Sequence, residues 1–484
     1  MSTAPRCTSW PPFHTSRRTS LSSPLTPSTT LLLLLLPTAS AASLAAPAAL
    51  DGLKNWLSSK DVSTATTTGG VVDGFGNSLV AARDVEAGER LLAVPRRLHL
   101  AASSSPVASR FETLEDESSL LALRLLHEVG RGEASEWAPY LAILPTAAEL
   151  NVPLLWSEEE RARLLAGSHL QGIVDQLSGE LGEQWQALDA TTFAADRDTF
   201  PADAFSRERF LWAHAICLSR ALPFGDELSL IPLLDLANHE AGAVNPCSIA
   251  TQKADGSDGG AVTEAWQLDE LGGEPLAVLT AGKAHGAGEQ VFIDYGEAGW
   301  RSSWEMLYTY GFVPGTKPDE WLAAGGRPIF FECVQRSDPL WQQKAAVIAS
   351  LTGDEGNEAG LWVDVKADPA AMAATAMAPM LRLAHMGADC PEWGAALESW
   401  QVQPQQLWQA LQQPLPGAAG ATIEQRVAAQ VRAECEAALA GLPPPDALAG
   451  ALKPGASDAR AALSARVLLS ERHALEGCAE RWKV

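Results

Sequence analysis

The sequence predicts an α+β protein: a small β unit, a helical segment, a second β region and a helical tail. Three observations carry this expectation. From Gly69, short apolar runs alternate with turn residues. Between about Ser103 and Leu218, apolar residues recur at helical spacing. Strand-like runs return near Leu228 and give way to helical periodicity again past about Glu320. With 484 residues the chain has room for two or three domains.

The first fifty residues stand apart. They hold no Asp or Glu, are rich in Ser and Thr, and carry Arg6, Arg17 and Arg18, the composition of an organelle transit peptide. The leucine run 31–36 followed by Pro37-Thr38-Ala39-Ser40-Ala41 also reads as a secretory signal, although no disulfide pattern accompanies it. That run is far short of the roughly 20 apolar residues that span a bilayer. Chloroplast import is the first expectation, with the cytoplasm and the secretory pathway as alternatives.

The β unit comprises Ser78-Leu79-Val80-Ala81-Ala82, a turn at Glu86-Ala87-Gly88-Glu89 and a strand over 91–95. In the helical segment, Leu120, Leu121, Leu125 and Leu126 fall on one face, and Ser157 with Glu160 forms a capping box. Strands are expected over 228–236, 276–280 and 290–295, with a mobile Gly/Asp-rich loop at 254–260. In the tail, Thr422 and Gln425 read as a second capping box, and Ile423, Val427, Val431 and Cys435 form a stripe. The last helix places Leu463, Val467, Leu468, Leu475 and Cys478 on one face. Pro443-Pro444-Pro445 and Pro454-Gly455 read as loops.

Composition narrows the function. A formal net charge of -24 without any long Lys/Arg run argues against a phosphate-binding surface, so nucleic acid is excluded as a partner. The acidity suits either solubility or approach to a basic protein segment. Seven scattered cysteines, without a CxxC pair or a Cys/His cluster, give no metal site and no disulfide framework. A membrane protein is not favoured by 46% hydrophobic and 19% charged residues.

Two stretches carry chemistry. The apolar run Ile231-Pro232-Leu233-Leu234-Asp235-Leu236-Ala237-Asn238-His239 ends in polar residues that need partners if the strand is buried. An isolated Asn-His pair is otherwise a turn with a satisfied core histidine. The second stretch is Gly288-Glu289-Gln290-Val291-Phe292-Ile293-Asp294-Tyr295-Gly296, followed by Glu305-Met306-Leu307-Tyr308-Thr309-Tyr310-Gly311-Phe312. The chain has four tyrosines, and three lie in this window, so a phenolic hydroxyl is wanted there unless the rings merely pack.

In this order the segments resemble the SET-domain protein methyltransferases, in the branch of the Rubisco large-subunit lysine methyltransferases. Gly74-Phe75-Gly76 with the 79–84 run resembles the opening strands. Trp137-Ala138-Pro139-Tyr140-Leu141, Leu144-Pro145 and the 155–160 run resemble the helical insert, and Trp212-Ala213 with Ser219-Arg220 resembles the approach to the Asn-His strand. The resemblance implies a SET catalytic domain over 70–315 with its insert at about 103–218. A helical, all-α substrate-binding domain would follow over 320–484.

It further implies a knot-like β core with S-adenosylmethionine (SAM) and a lysine-bearing protein on opposite faces of a narrow channel. Gly74, Phe75, Arg220, Asp235, Asn238, His239, Tyr295 and Ser302 would bind the cofactor. Arg220, Asp235 and Tyr310 would face the substrate, Tyr295 would be catalytic, and Tyr308 would pack. No metal is implied, and a monomer is expected.

Two departures stand out: Asn77-Ser78 is inserted after Gly76, and Ser303-Trp304 replaces Asn-Ala before Glu305. The rival readings are a histidine acceptor, or a SET fold that binds protein without turnover. The tail is expected to select the partner while the core supplies the chemistry.

Overall fold

The computed structural model describes residues 47–243, 247–252, 258–262, 273–295, 301–332, 337–352, 360–366, 377–387, 404–453 and 456–482. Most of the expected presequence lies outside these. Its last residues belong to helix α1 (Pro47–Ser59), which buries Leu50, Leu53 and Leu57 in the main core.

The expected β unit is a hairpin of β1 (Thr67–Val72) and β2 (Gly76–Ala81), followed by β3 (Arg90–Pro95) and β4 (Leu100–Ala101). The hairpin tip turns at Gly74, φ +78°, and Gly76, φ +71°, a backbone region that favours glycine. The helical insert follows as α2 (Glu117–Arg131), α3 (Ala138–Leu141), α4 (Glu158–Leu164), α5 (His169–Leu188) and α6 (Arg207–Arg220). Asp116 caps α2 and the Ser157–Glu160 capping box opens α4 as expected. Helix α6 is buried without a break from Phe210 to Cys217, so it runs through the core and delivers Arg220 at its end.

After α6 come β5 (Leu222–Phe224), β6 (Glu227–Leu230) and β7 (Asn238–His239). Only the first third of the expected strand over 228–236 is therefore strand. It stops at Leu230, and Leu234–Leu236 form a 3-10 turn entered through Leu233 at φ +70°. Strands β8 (Cys247–Gln252), β9 (Asp258–Val262) and β10 (Glu274–Thr280) join β3 in an antiparallel sheet of order β3-β10-β8-β9. Asp258, Gly259 and Gly260, expected in a mobile loop, are thus strand residues, Asp258 and Gly260 paired with β8; the rest of that expected loop, 254–257, lies outside the described residues.

The strand expected over 290–295 shortens to β11 (Phe292–Ile293). It pairs in parallel with β7, Phe292 with Asn238 and Ile293 with His239. Just before it, Val291 N–H donates to Leu79 O at 2.8 Å. The 288–293 segment is therefore bonded to β2 and then to β7, which gives the crossed arrangement the resemblance implied.

Beyond the core lie α7 (Ser303–Tyr310), α8 (Pro318–Ala323), β12 (Gly326–Glu332), α9 (Trp341–Thr352), β13 (Gly360–Lys366), α10 (Met377–His385), α11 (Pro404–Leu411), α12 (Gly417–Ala440) and α13 (Ala459–Arg481). The tail is mainly helical, but it is not all-α: β12 and β13 form an antiparallel pair with Phe330 opposite Trp362. Ile423, Val427, Val431 and Cys435 are fully buried, as their stripe predicts. Thr422 caps nothing, because α12 begins five residues earlier and the Thr422 hydroxyl donates back to Ala418 O. Pro445 opens a one-turn helix, Pro445–Leu448, where a loop was expected, and Pro454-Gly455 lie outside the described residues.

Tail and insert share a hydrophobic cluster. Trp156, Leu165 and Val174 of the insert pack with Trp304, Trp321 and Val467. Among the described residues no helix is long and apolar enough to cross a membrane.

Candidate active site

The 3-10 turn after β6 makes the floor of the site. It buries Asp235, and the end of α6 brings Arg220 against it. Arg220 Nη1 donates to Asp235 O at 3.0 Å and lies 3.7 Å from Asp235 Oδ2. Tyr140, from the insert, donates its hydroxyl to the same Oδ2 at 2.7 Å. Burial raises the Asp235 pKa, while Arg220 and Tyr140 pull it down. Two atoms of this cluster, Asp235 Oδ1 and Arg220 Nε, are buried without a hydrogen-bond partner among the described residues. Such orphaned groups are costly unless a ligand meets them.

Asn238 and His239 are fixed by the parallel pairing of β7 with β11. Asn238 Nδ2 donates to Ser78 Oγ and to Gln290 Oε1, both at 2.8 Å. Its side chain thus braces β7 against β2 and the segment before β11. His239 Nδ1 accepts the Tyr295 N–H at 3.1 Å, so its proton is assigned to Nε2. Burial lowers the His239 pKa and keeps the ring neutral.

The Tyr295 hydroxyl donates to Ala237 O at 2.8 Å, and its ring lies 4.5 Å from that of Tyr310. Burial pushes the Tyr295 hydroxyl well above the ordinary phenol range, with Arg220 opposing. It therefore stays protonated at neutral pH. Tyr310 is also raised by burial, and the Arg301 guanidinium sits 5.7 Å over its ring. His239 and Phe312 complete an aromatic wall.

Gly74 and Phe75 form an open lip. A Cβ at Gly74 would meet nothing within 4 Å, so its backbone angle, rather than crowding, calls for glycine. The Phe75 ring is 48% exposed and stands edge-on to Phe292 at 5.6 Å.

Of the expected residues, the structure gathers Arg220, Asp235, Asn238, His239, Tyr295 and Tyr310, with Gly74 and Phe75 on the bordering hairpin. Ser302 is fully buried at the start of α7, where its hydroxyl donates to Asp364 Oδ2 of β13 at 2.5 Å and accepts from Lys366 Nζ, so it joins the core to the tail. Tyr308 packs with the shared cluster, as expected.

Sequence reasoning missed Tyr140, Ser78 and Gln290 as site residues. Two signals pointed to them: Tyr140 is the fourth tyrosine, and Ser78 belongs to the Asn77-Ser78 departure, which supplies an acceptor to Asn238. The second departure also has a structural use. The Ser303 hydroxyl bonds Trp321 O and Ala324 O, and Trp304 Nε1 lies 3.4 Å from Asp364 Oδ1.

The crossed β7–β11 pairing, with the insert between two β regions, gives the chain a SET-like fold. Comparison with known proteins bears on that fold. The crystal structure of the SET domain of LSMT bound to lysine and AdoHcy superposes with a TM-score of 0.71, covering 90% of this chain and 91% of that one at 24% identity. That likeness shows the fold.

Among curated proteins, the chain is 27% identical over 280 residues to human N-lysine methyltransferase SETD6, covering 54% of this chain and 53% of that protein. It is 30% identical over 303 residues to the chloroplastic Rubisco large-subunit N-methyltransferase of Pisum sativum, covering 61% and 56%. It is 29% identical over 378 residues to the chloroplastic fructose-bisphosphate aldolase-lysine N-methyltransferase of Arabidopsis thaliana, covering 77% and 69%. The chain thus spans about half the length of the first of these relatives. No family model matches.

Proposed function

We propose that this chain is a SAM-dependent protein-lysine methyltransferase. The observation that carries the reading is the convergence on one spot of Tyr295, Tyr310, Asp235 and Arg220 with the Asn238-His239 backbone. SAM, when bound, supplies an electrophilic methyl group on a sulfonium. The residues present suit it: the Gly74 lip is open, and Arg220 Nε is buried and unpartnered, ready for a carboxylate.

The chain's own groups do the rest. Attack on the methyl carbon needs a neutral amine held in line, and free lysine has a pKa near about 10.4. The Tyr295 hydroxyl, fixed by Ala237 O and kept neutral by burial, orients that amine. Tyr310 and Phe312 keep water from it, and an apolar aromatic wall favours the uncharged form. The relatives named as lysine methyltransferases support a lysine acceptor over histidine.

The relatives' names and the acid-free N-terminus support a plastid protein, with Rubisco or aldolase as first acceptors to try; cytoplasmic proteins come next. The test is transfer of labelled methyl from SAM by the full chain into plastid extract and into purified candidates. Tyr295→Phe should lower transfer by roughly 100-fold while SAM still binds. Mass spectrometry of the labelled band should place the label on lysine. Label on histidine would overturn the acceptor, and undiminished transfer by Tyr295→Phe would overturn the role of Tyr295. SAM binding without transfer would favour the non-catalytic reading.

A further inference from the structure

The methyltransferase reading gives the helical insert no chemical task, yet one insert residue reaches the site. Tyr140 is fully buried on α3, a single turn opened by Pro139. Its hydroxyl donates to Asp235 Oδ2 at 2.7 Å across 95 positions of sequence. The same segment is pinned a second time, where Asn77 Nδ2 of the cofactor-side hairpin donates to Ile143 O at 3.3 Å.

Asp235 lies where a carboxylate is hard to keep. It is buried, and desolvation alone would leave it protonated. Two groups oppose this: Arg220, 3.7 Å from Oδ2, and the Tyr140 hydroxyl on the same oxygen. Arg220 directs its Nη1 hydrogen bond at 3.0 Å to the Asp235 main-chain oxygen, whereas the Tyr140 hydroxyl donates to the carboxylate itself. The titratable and charged groups around the pair are Arg220 and Cys217 from α6 and Tyr295 from the segment after β11. Oδ1 has no partner among the described residues. The plainer reading, a core tyrosine satisfied by the nearest acceptor, leaves that free oxygen unexplained.

We propose that Tyr140 is a positioning residue of the site: by donating to Oδ2 it fixes the Asp235 carboxylate against Arg220, beside the tyrosines that meet the acceptor. The effect on the acceptor rests on the methyltransferase reading. The action of Tyr140 on Asp235 does not.

The experiment is an NMR titration of the full chain carrying γ-carbon-labelled aspartate, with the Asp235 signal assigned by its loss in Asp235→Asn. In Tyr140→Phe, which keeps the ring, the Asp235 midpoint should rise by roughly one pH unit. KM for a lysine peptide should rise more than kcat falls, and the deficit should shrink as pH rises past the new midpoint. An unmoved midpoint in a folded Tyr140→Phe, or a deficit independent of pH, overturns the proposal. If Tyr140→Phe fails to fold, Asp235→Asn decides: KM for the peptide should rise roughly tenfold, and an unchanged KM overturns it. If the wild type transfers no methyl, the methyltransferase reading falls, while the titration still decides what Tyr140 does.

Discussion

Removing Glu471 tests whether tail and insert form one cooperative body. Glu471 is fully buried on α13 and holds Arg327 Nη1 at 2.6 Å, while the Ser168 hydroxyl donates to its other oxygen. Arg327 also donates to Gly167 O at 3.0 Å, so the carboxylate ties β12 and α13 to the turn between α4 and α5. Glu471→Ala leaves the guanidinium buried without its counter-charge. Breaking a buried pair in this way costs about 3–5 kcal/mol.

Unfolding entropy of about 2 cal/mol/K per residue gives about 1 kcal/mol per degree for a chain of 484 residues, so Tm should fall by about 3–5 °C. Calorimetry should show the main transition move as a whole, and hydrogen exchange should show α4, α5 and α13 losing protection together. Loss of protection in α13 with none in α5 would refute the coupling. So would an unchanged Tm.

Two further predictions follow from local chemistry. Glu128 is buried and its pKa is depressed to about 2: burial would raise it, but hydrogen bonds from His127 and Ser135 and the charges of Arg124 and Arg131 prevail. A depressed carboxylate gives stability that is present above its unfolded pKa and lost as pH falls through the folded one. About 3 kcal/mol should therefore vanish between about pH 4.5 and about pH 2, and urea midpoints should show a shallower acid slope in Glu128→Gln. Thr422→Ala should be neutral or stabilise by up to about 0.5 kcal/mol, since Thr422 is exposed inside α12. A loss of about 1 kcal/mol in the urea midpoint would mean that Thr422 caps the helix after all.

The sequence made the chemistry-bearing motifs legible because each is local: Asn238-His239, Tyr295 and Tyr310 are read within a few residues of their turn signals. What it hid depends on distance along the chain. Tyr140 and Asp235 lie 95 positions apart, and nothing in either segment names the other. The β12–β13 pair was read as helix because its hydrogen-bond partners lie on the far side of α9, beyond any local periodicity. The bonds of Ser302 to Asp364 and Lys366 were hidden for the same reason, since both partners lie far along the chain. The Leu228–Leu236 strand ended early because Leu233 adopts φ +70°, a conformation that apolar content does not announce.

These contacts change the expected division of labour between a selecting tail and a reacting core. Helix α7 is only eight residues, about 12 Å long, and its two ends serve different bodies. At its start, Ser302 and Trp304 are bonded to β13 of the tail. At its end, Tyr310 stacks on Tyr295, and Gly311 at φ +77° closes the helix so tightly against the insert that a Cβ would lie 2.9 Å from Asn151 C. A rigid helix held at both ends transmits position. The tail therefore sets where Tyr310 meets Tyr295, and deleting it would loosen the aromatic wall as well as any grip on a partner.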